Sequence, residues 1–89
     1  MTAVAGVATL TTLGSLLRHV RATLEQANIA DAALDARLIV EHFAGASRAD
    51  TILDPGRVLD ENRSASVMAA LDRRLAGEPV HRIIGARAF

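Results

Sequence analysis

The stretch that decides the fold is residues 31–45, which read DAALDARLIVEHFAG. It begins with Asp31, a residue type that favours the N-cap of a helix, and it ends at Gly45, as expected just after a helix C-terminus. Apolar side chains recur at helical spacing on two opposed sides, Ala36, Ile39, Val40 and Phe43 on one and Leu34 and Leu38 on the other. A helix that is apolar on two sides packs against neighbours on both. The pattern therefore predicts a helix over 31–44 at the centre of a bundle.

Four further segments carry helix signals on either side of this one. Their predicted bounds are 12–28, 47–53, 60–76 and 79–84. Thr12 and Asp60 are suitable N-caps, and the run that starts at Ser47 resembles a capping box. Pro79 and Gly85 have the residue types found at the start and the end of a helix, so they predict one to two helical turns between them. An extended segment is the alternative there.

A turn is predicted between the third and fourth helices, at residues 54–57 with the sequence DPGR. Pro55 disfavours the helical conformation in the residue before it, so the third helix ends there. Gly56 suits the third position of a type II turn, where the backbone is left-handed. The sequence therefore predicts a type II turn.

The composition supports an all-α fold of four to five helices in one domain. The chain has 89 residues, is rich in Ala and Leu, and has only two aromatic residues, which favours helices over strands. Its formal net charge is zero and it has no Lys, which argues against direct binding of nucleic acid. There is no Cys, which excludes disulfides and thiol catalysis and fits a cytoplasmic protein. No apolar run is long enough to predict a membrane span.

The larger apolar residues of the helical stripes are expected to form the core. They are Leu13, Leu16, Leu17, Val20, Leu24, Leu34, Leu38, Ile39, Phe43, Val67, Leu71 and Leu75. Each lies at a spacing of three or four residues from another member of its own stripe, which is the pattern of a helix face packed on a core.

No combination of side chains predicts a catalytic, cofactor-binding or metal site. The three histidines lie on three different segments, as His19, His42 and His81, at no spacing that resembles a zinc motif. Asp31 and Asp35 lie at the start of the central helix, where capping and interaction with the helix dipole explain them. The Gly-rich turns that bind nucleotide phosphates are missing from the sequence.

The C-terminal run carries a family resemblance. Residues 73–89 read RRLAGEPVHRIIGARAF and resemble the domain junction of the HemK family, the protein-(glutamine-N5) methyltransferases that modify peptide chain release factors. The positions that match the junction motif are Gly77, Glu78, Pro79, Gly85 and Phe89. Residues 35–42, DARLIVEH, and 45–48, GASR, resemble two further segments of that family. The resemblance extends over residues 12–89.

The chain departs from the family pattern in two residues and in its extent. Ala88 replaces the Glu that usually precedes the Phe, and Arg82 stands where many members have Tyr. The Gly-rich turn and the Asn-Pro-Pro-Tyr loop of the catalytic domain do not occur in this sequence. We therefore interpret residues 12–85 as a helical release-factor-docking domain. Residues 1–11 are expected to be a flexible segment, and residues 86–89 the start of the connector to a catalytic domain.

The resemblance implies a function for the parent enzyme. In the family, S-adenosylmethionine donates a methyl group to the glutamine of the Gly-Gly-Gln loop of class-1 release factors, and the N-terminal domain helps to place that loop. The implied partners are a class-1 release factor and the chain's own C-terminal catalytic domain, without a membrane or a direct nucleic-acid contact. This chain by itself is expected to bind no cofactor or metal and to be inactive.

Two other interpretations stay open at this point. In the first interpretation, the chain is an autonomous helical adaptor that binds other proteins. In the second, it is a helical nucleic-acid-binding domain. In the second case, the short third helix and its turn would mimic part of a helix-turn-helix.

Overall fold

A computed structural model describes residues 11–85, which form five α-helices. The helices are α1 (Leu13–Gln26), α2 (Ala32–Ala44), α3 (Arg48–Leu53), α4 (Glu61–Leu75) and α5 (Val80–Ile83). An isolated antiparallel bridge joins Thr12 and Val58. The prediction of a small all-α bundle is confirmed, and each helix lies within two residues of its predicted bounds. The last segment is helical rather than extended.

Helix α2 lies at the centre of the bundle. It packs most extensively against α1 and α4 and also contacts α3 and α5. It ends at Gly45, whose φ of 68° is left-handed as predicted, but the Asp31 side chain before it makes no capping hydrogen bond. Its buried apolar residues are Ala32, Ala36, Ile39, Val40 and Ala44. Because alanine side chains are small, α1 and α4 can lie close to α2 on this face.

Three of the other helices begin at side-chain caps. Thr12 and Ser15 form a capping box at α1, since each side-chain oxygen accepts a hydrogen bond from the backbone N–H of the other residue. Ser47 and Asp50 do the same at α3. The Asp60 carboxylate accepts a hydrogen bond from a backbone N–H in the first turn of α4. These bonds satisfy N–H groups that have no partner within the helix, so local sequence sets where each helix begins.

The loop between α3 and α4 packs on the start of α1. The carbonyl oxygens of Pro55 and Arg57 accept hydrogen bonds from the N–H groups of Gly14 and Leu13, both with N···O distances of 2.8 Å. A Cβ atom at Gly14 would lie 2.9 Å from the Cβ of Pro55, so glycine permits this approach. The type II prediction is wrong, because Gly56 has no positive φ. Turn types I and II differ in the orientation of the peptide whose carbonyl belongs to Pro55, and Gly14 holds that carbonyl.

The core lies mainly between α1, α2 and α4. Of the residues expected there, the structure buries Leu13, Leu16, Val20, Leu24, Ile39, Val67 and Leu71. Leu17, Leu38 and Phe43 are partly buried against this core.

Two residues expected in the core are instead exposed, Leu34 at 46% and Leu75 at 42%. Leu34 lies on the side of α2 where the six-residue α3 covers only part of the surface. Leu75 is the last residue of α4, where the chain turns towards α5. Four larger residues outside the expected set are also buried, Val40 of α2, Leu59 of the α3–α4 loop, and Val80 and Ile83 of α5.

The expectations for the two ends of the chain fall mostly outside the described residues. Of the segment expected to be flexible, only Thr11 is described, and its carbonyl oxygen accepts a hydrogen bond from the Leu59 N–H at 2.8 Å. The expected connector over 86–89, with Phe89 of the junction motif, lies outside the described residues. Within residues 11–85, none of the helices has the length and apolar character that a membrane span needs.

Candidate interaction surfaces

A tight turn joins α4 to α5 and contains three of the five predicted junction residues, Gly77, Glu78 and Pro79. Gly77 has a φ of 105°, which L side chains rarely adopt, and its N–H donates to the carbonyl oxygen of Arg74 at 3.0 Å. The N–H of Glu78 donates to the carbonyl oxygen of Arg73 at 3.1 Å. These bonds satisfy carbonyl groups at the end of α4. Pro79 then serves as the N-cap residue of α5.

The side chains of this turn form a bidentate ion pair. Arg73 donates from Nε and Nη2 to the two carboxylate oxygens of Glu78, with an Nε···Oε1 distance of 2.8 Å. These hydrogen bonds lower the pKa of Glu78 below its ordinary value and raise the pKa of Arg73. Because both side chains reach solvent, the pair adds little stability and mainly orders the turn.

A second ion pair is more deeply buried and joins two helices. Arg74 donates from Nε to Oδ2 of Asp35 at 3.0 Å, and the two side chains are 22% and 13% exposed. The same guanidinium donates from Nη1 to the carbonyl oxygen of Glu78 at 3.4 Å. One arginine therefore ties α2 to the end of α4 and to the turn that leads into α5.

Sequence reasoning missed this pair, because it explained Asp35 by capping and by interaction with the helix dipole. Asp35 is the buried charged residue of the described chain, and its partner is 39 residues away in sequence. A signal was present in the spacing. Asp35 precedes the core residue Ile39 by four positions and follows the buried Ala32 by three, which places it on the packed side of α2.

Beside this pair lies a cavity of about 370 Å³, which we call the junction cavity. Its lining includes Asp35, Leu38, Arg74, Pro79, Val80 and Ile84. Both signs of charge are present in the lining, and Asp35 and Arg74 neutralise each other directly. The predicted junction residues Gly77 and Glu78 lie in the adjoining turn, and Gly85, with a φ of 69°, follows the end of α5.

A groove of about 400 Å³ lies between α1, α2 and α3, and we call it the arginine groove. Its lining includes Leu17, Arg21, Leu34, Arg37, Arg48 and Ile52. Leu34 and Ile52 are 46% and 64% exposed, although both are large and apolar. None of the described residues that line this groove is acidic.

The three arginines of the groove differ in how they are held. Arg21 pairs through Nε with Glu25 at 3.0 Å, and Arg37 approaches Glu41 through Nε at 3.3 Å without hydrogen-bond alignment. Arg48 forms no ion pair with any residue in 11–85. A guanidinium has five N–H donors, so pairing through Nε leaves the Nη groups of Arg21 and Arg37 available.

The histidines do not come together. His19, His42 and His81 lie on α1, α2 and α5, and no group of three or more His, Asp or Glu residues that could hold a metal occurs in the described part of the chain.

Comparison with known proteins gives a consistent result. Residues 15–85 match the family model of the PrmC N-terminal domain. The chain is 38% identical over 78 residues to the release factor glutamine methyltransferase of Agrobacterium fabrum, covering 88% of this chain and 27% of that protein. It is 43% identical over 74 residues to the release factor glutamine methyltransferase of Corynebacterium glutamicum, covering 83% of this chain and 25% of that protein.

The chain thus spans about a quarter of the length of the curated relatives that it matches. No solved structure matches it at a significant level. The family model covers most of the chain, including α2, the junction turn and both surfaces. The chain belongs to the PrmC N-terminal domain family.

Proposed function

We propose that this chain is the release-factor-docking domain of an S-adenosylmethionine-dependent protein-(glutamine-N5) methyltransferase, acting in the cytoplasm during translation termination. The observation that carries the proposal is the match of residues 15–85 to the PrmC N-terminal domain, together with relatives that are release factor glutamine methyltransferases. In this proposal the methyl transfer takes place on a separate catalytic domain, and the chain by itself transfers no methyl group.

The chemistry of the reaction gives a reason for a docking domain. A glutamine side chain offers few groups for recognition, so affinity and orientation have to come from contacts away from the reacting amide. Contacts of this kind would help to place the Gly-Gly-Gln loop of a class-1 release factor at the catalytic site. A surface with exposed apolar side chains and available arginine donors supports this role.

The junction region supports a second part of the proposal, the link to the enzyme's own catalytic domain. In this proposal α5 leads towards that domain. Arg74 holds the turn before α5 against Asp35 of α2. Because this pair is largely shielded from water, it restricts how α5 is oriented on the bundle.

The docking role is tested with the isolated 89-residue chain. We would titrate the ¹⁵N-labelled chain with a class-1 release factor from one of the bacteria named above and follow the amide shifts. Saturable shifts are expected with a Kd of about 10–100 µM, weak because the chain supplies only part of the interface. An unrelated acidic protein of similar size is the control. No shift at about 1 mM release factor would remove the docking role.

A further inference from the structure

The arginine groove has a charge that the chain as a whole does not have. The formal net charge of the chain is zero, yet the groove lining holds three arginines and no acidic residue. The junction cavity, of similar volume, contains Asp31 and Asp35 beside Arg74. Glu25 and Glu41 lie outside the lining and pair with Arg21 and Arg37, so Arg48 carries the unbalanced charge. This charge, together with the free Nη donors of the other two arginines, favours a partner that brings carboxylates.

The groove lining also contains apolar surface that is left exposed. Ile52 of α3 is 64% exposed and Leu34 of α2 is 46% exposed, while Leu17 of α1 is partly buried against the core. Protein interfaces commonly place an apolar centre inside a polar rim and are enriched in arginine. Leu17 and Leu34 lie on α1 and α2, which pack in the core, and Ile52 lies on α3, which begins at a capping box.

The donors on this surface are free to bind. Arg48 has no ion-pair partner among residues 11–85, and the Nη groups of Arg21 and Arg37 form no hydrogen bond there. Planar guanidinium groups with free Nη donors bind carboxylates in a bidentate manner. Nucleic acid is a poorer fit, because among residues 11–85 the lining contains no aromatic side chain on which a base could stack.

We propose that the arginine groove binds an acidic amphipathic segment of the release factor. An aliphatic or aromatic side chain of that segment packs between Leu34 and Ile52, and its flanking carboxylates accept hydrogen bonds from Arg37 and Arg48. This inference rests on the proposed function and deepens it, since it names the docking surface and the chemistry of the segment that docks there.

Two substitutions in the groove test the inference by titration with the release factor. Arg48→Glu reverses one charge, and we expect affinity to fall by about tenfold or more. The fold should be retained, because Arg48 is the first residue of α3, where an acidic side chain is favourable. Leu34→Ser removes apolar contact and should weaken binding by about fivefold. Arg48→Lys keeps the charge but loses the bidentate donor pair, so it should weaken binding by about threefold, less than Arg48→Glu does.

Matched controls lie outside the groove. Leu75 is 42% exposed on α4, close to the exposure of Leu34, and Arg82 is an exposed arginine on α5. Leu75→Ser and Arg82→Glu should bind within about twofold of the natural chain. Far-ultraviolet circular dichroism and the thermal midpoint of every variant establish that the bundle is folded.

The outcomes separate this inference from the proposed function. If the natural chain shows no shifts with the release factor, the proposed function fails and the inference falls with it. If the natural chain binds but Arg48→Glu and Leu34→Ser bind equally well, the docking role stands and the groove is not its surface. The inference is also overturned if the amide shifts of the groove residues depend only on the concentration of the chain, which would indicate self-association. It is overturned as well if an RNA duplex produces the same amide shifts.

Discussion

Arginine side chains have different roles in the junction region and in the arginine groove. At the junction, Arg74 and Asp35 are 22% and 13% exposed and bind each other at 3.0 Å. In the groove, Arg21 is 58% exposed beside Glu25, and Arg48 has no partner within the described residues. An arginine that is shielded and paired holds two helices together, whereas an exposed one keeps its donors for another molecule.

Helix α2 connects the two regions, because adjacent residues along it point to different sides. Leu34 lines the groove and Asp35 lines the junction cavity. Arg37 and Leu38 repeat this alternation one turn later. Successive residues of a helix are separated by about 100°, so a central helix can supply neighbouring side chains to two surfaces at once.

The largest expected effect on stability comes from breaking the ion pair at the junction. Arg74→Ala leaves the carboxylate of Asp35 buried without its partner, and we expect a loss of about 2–3 kcal/mol in the free energy of unfolding. Arg48→Ala in the groove should change it by less than about 0.5 kcal/mol. Urea unfolding followed by circular dichroism measures both, since the chain has no Trp or Tyr for fluorescence. Equal losses of unfolding free energy in the two variants would contradict the different roles of Arg74 and Arg48.

A smaller effect is expected from a matched pair of leucines on α2. Leu38 is partly buried and lines the junction cavity, so Leu38→Ala should cost about 2 kcal/mol of unfolding free energy. Leu34 is 46% exposed in the groove, and Leu34→Ala should cost less than about 1 kcal/mol. The same unfolding measurement compares them. A larger loss at Leu34 would mean that the groove side of α2 is covered in the folded chain.

The smallest effect concerns acid stability at the junction turn. The hydrogen bonds from Arg73 lower the pKa of Glu78 in the folded state, so the stabilisation is complete above the unfolded value of about 4.5 and is lost as the pH falls below it. In Glu78→Gln, the thermal midpoint should therefore fall less steeply between about pH 5 and pH 3 than in the natural chain. If the thermal midpoints of the two proteins fell in parallel with pH, the ion pair between Arg73 and Glu78 would not contribute to acid stability.

Sequence reasoning reached the local features of both regions and missed their long-range contacts. The helix starts at Thr12, Ser47 and Asp60 and the left-handed Gly45 follow from residues close together in the sequence. Leu34 was expected in the core, because periodicity shows which sides of a helix are apolar but not what covers them. The junction motif could be identified from the sequence because most of its residues are close together. The groove could not be identified, since its lining comes from three separate helices.

The sequence by itself determined four to five helices with bounds within two residues, three of their side-chain caps, the central place of α2 and the resemblance to a methyltransferase family. Capping and periodicity act between residues a few positions apart, so they can be deduced from the order of residues alone. Only the tertiary structure decided that Asp35 pairs with Arg74, that Leu34 and Ile52 remain exposed, and that three arginines converge on one groove. These outcomes depend on how the short α3 and the turn after α4 lie against α2, which is set by packing between residues far apart in the chain.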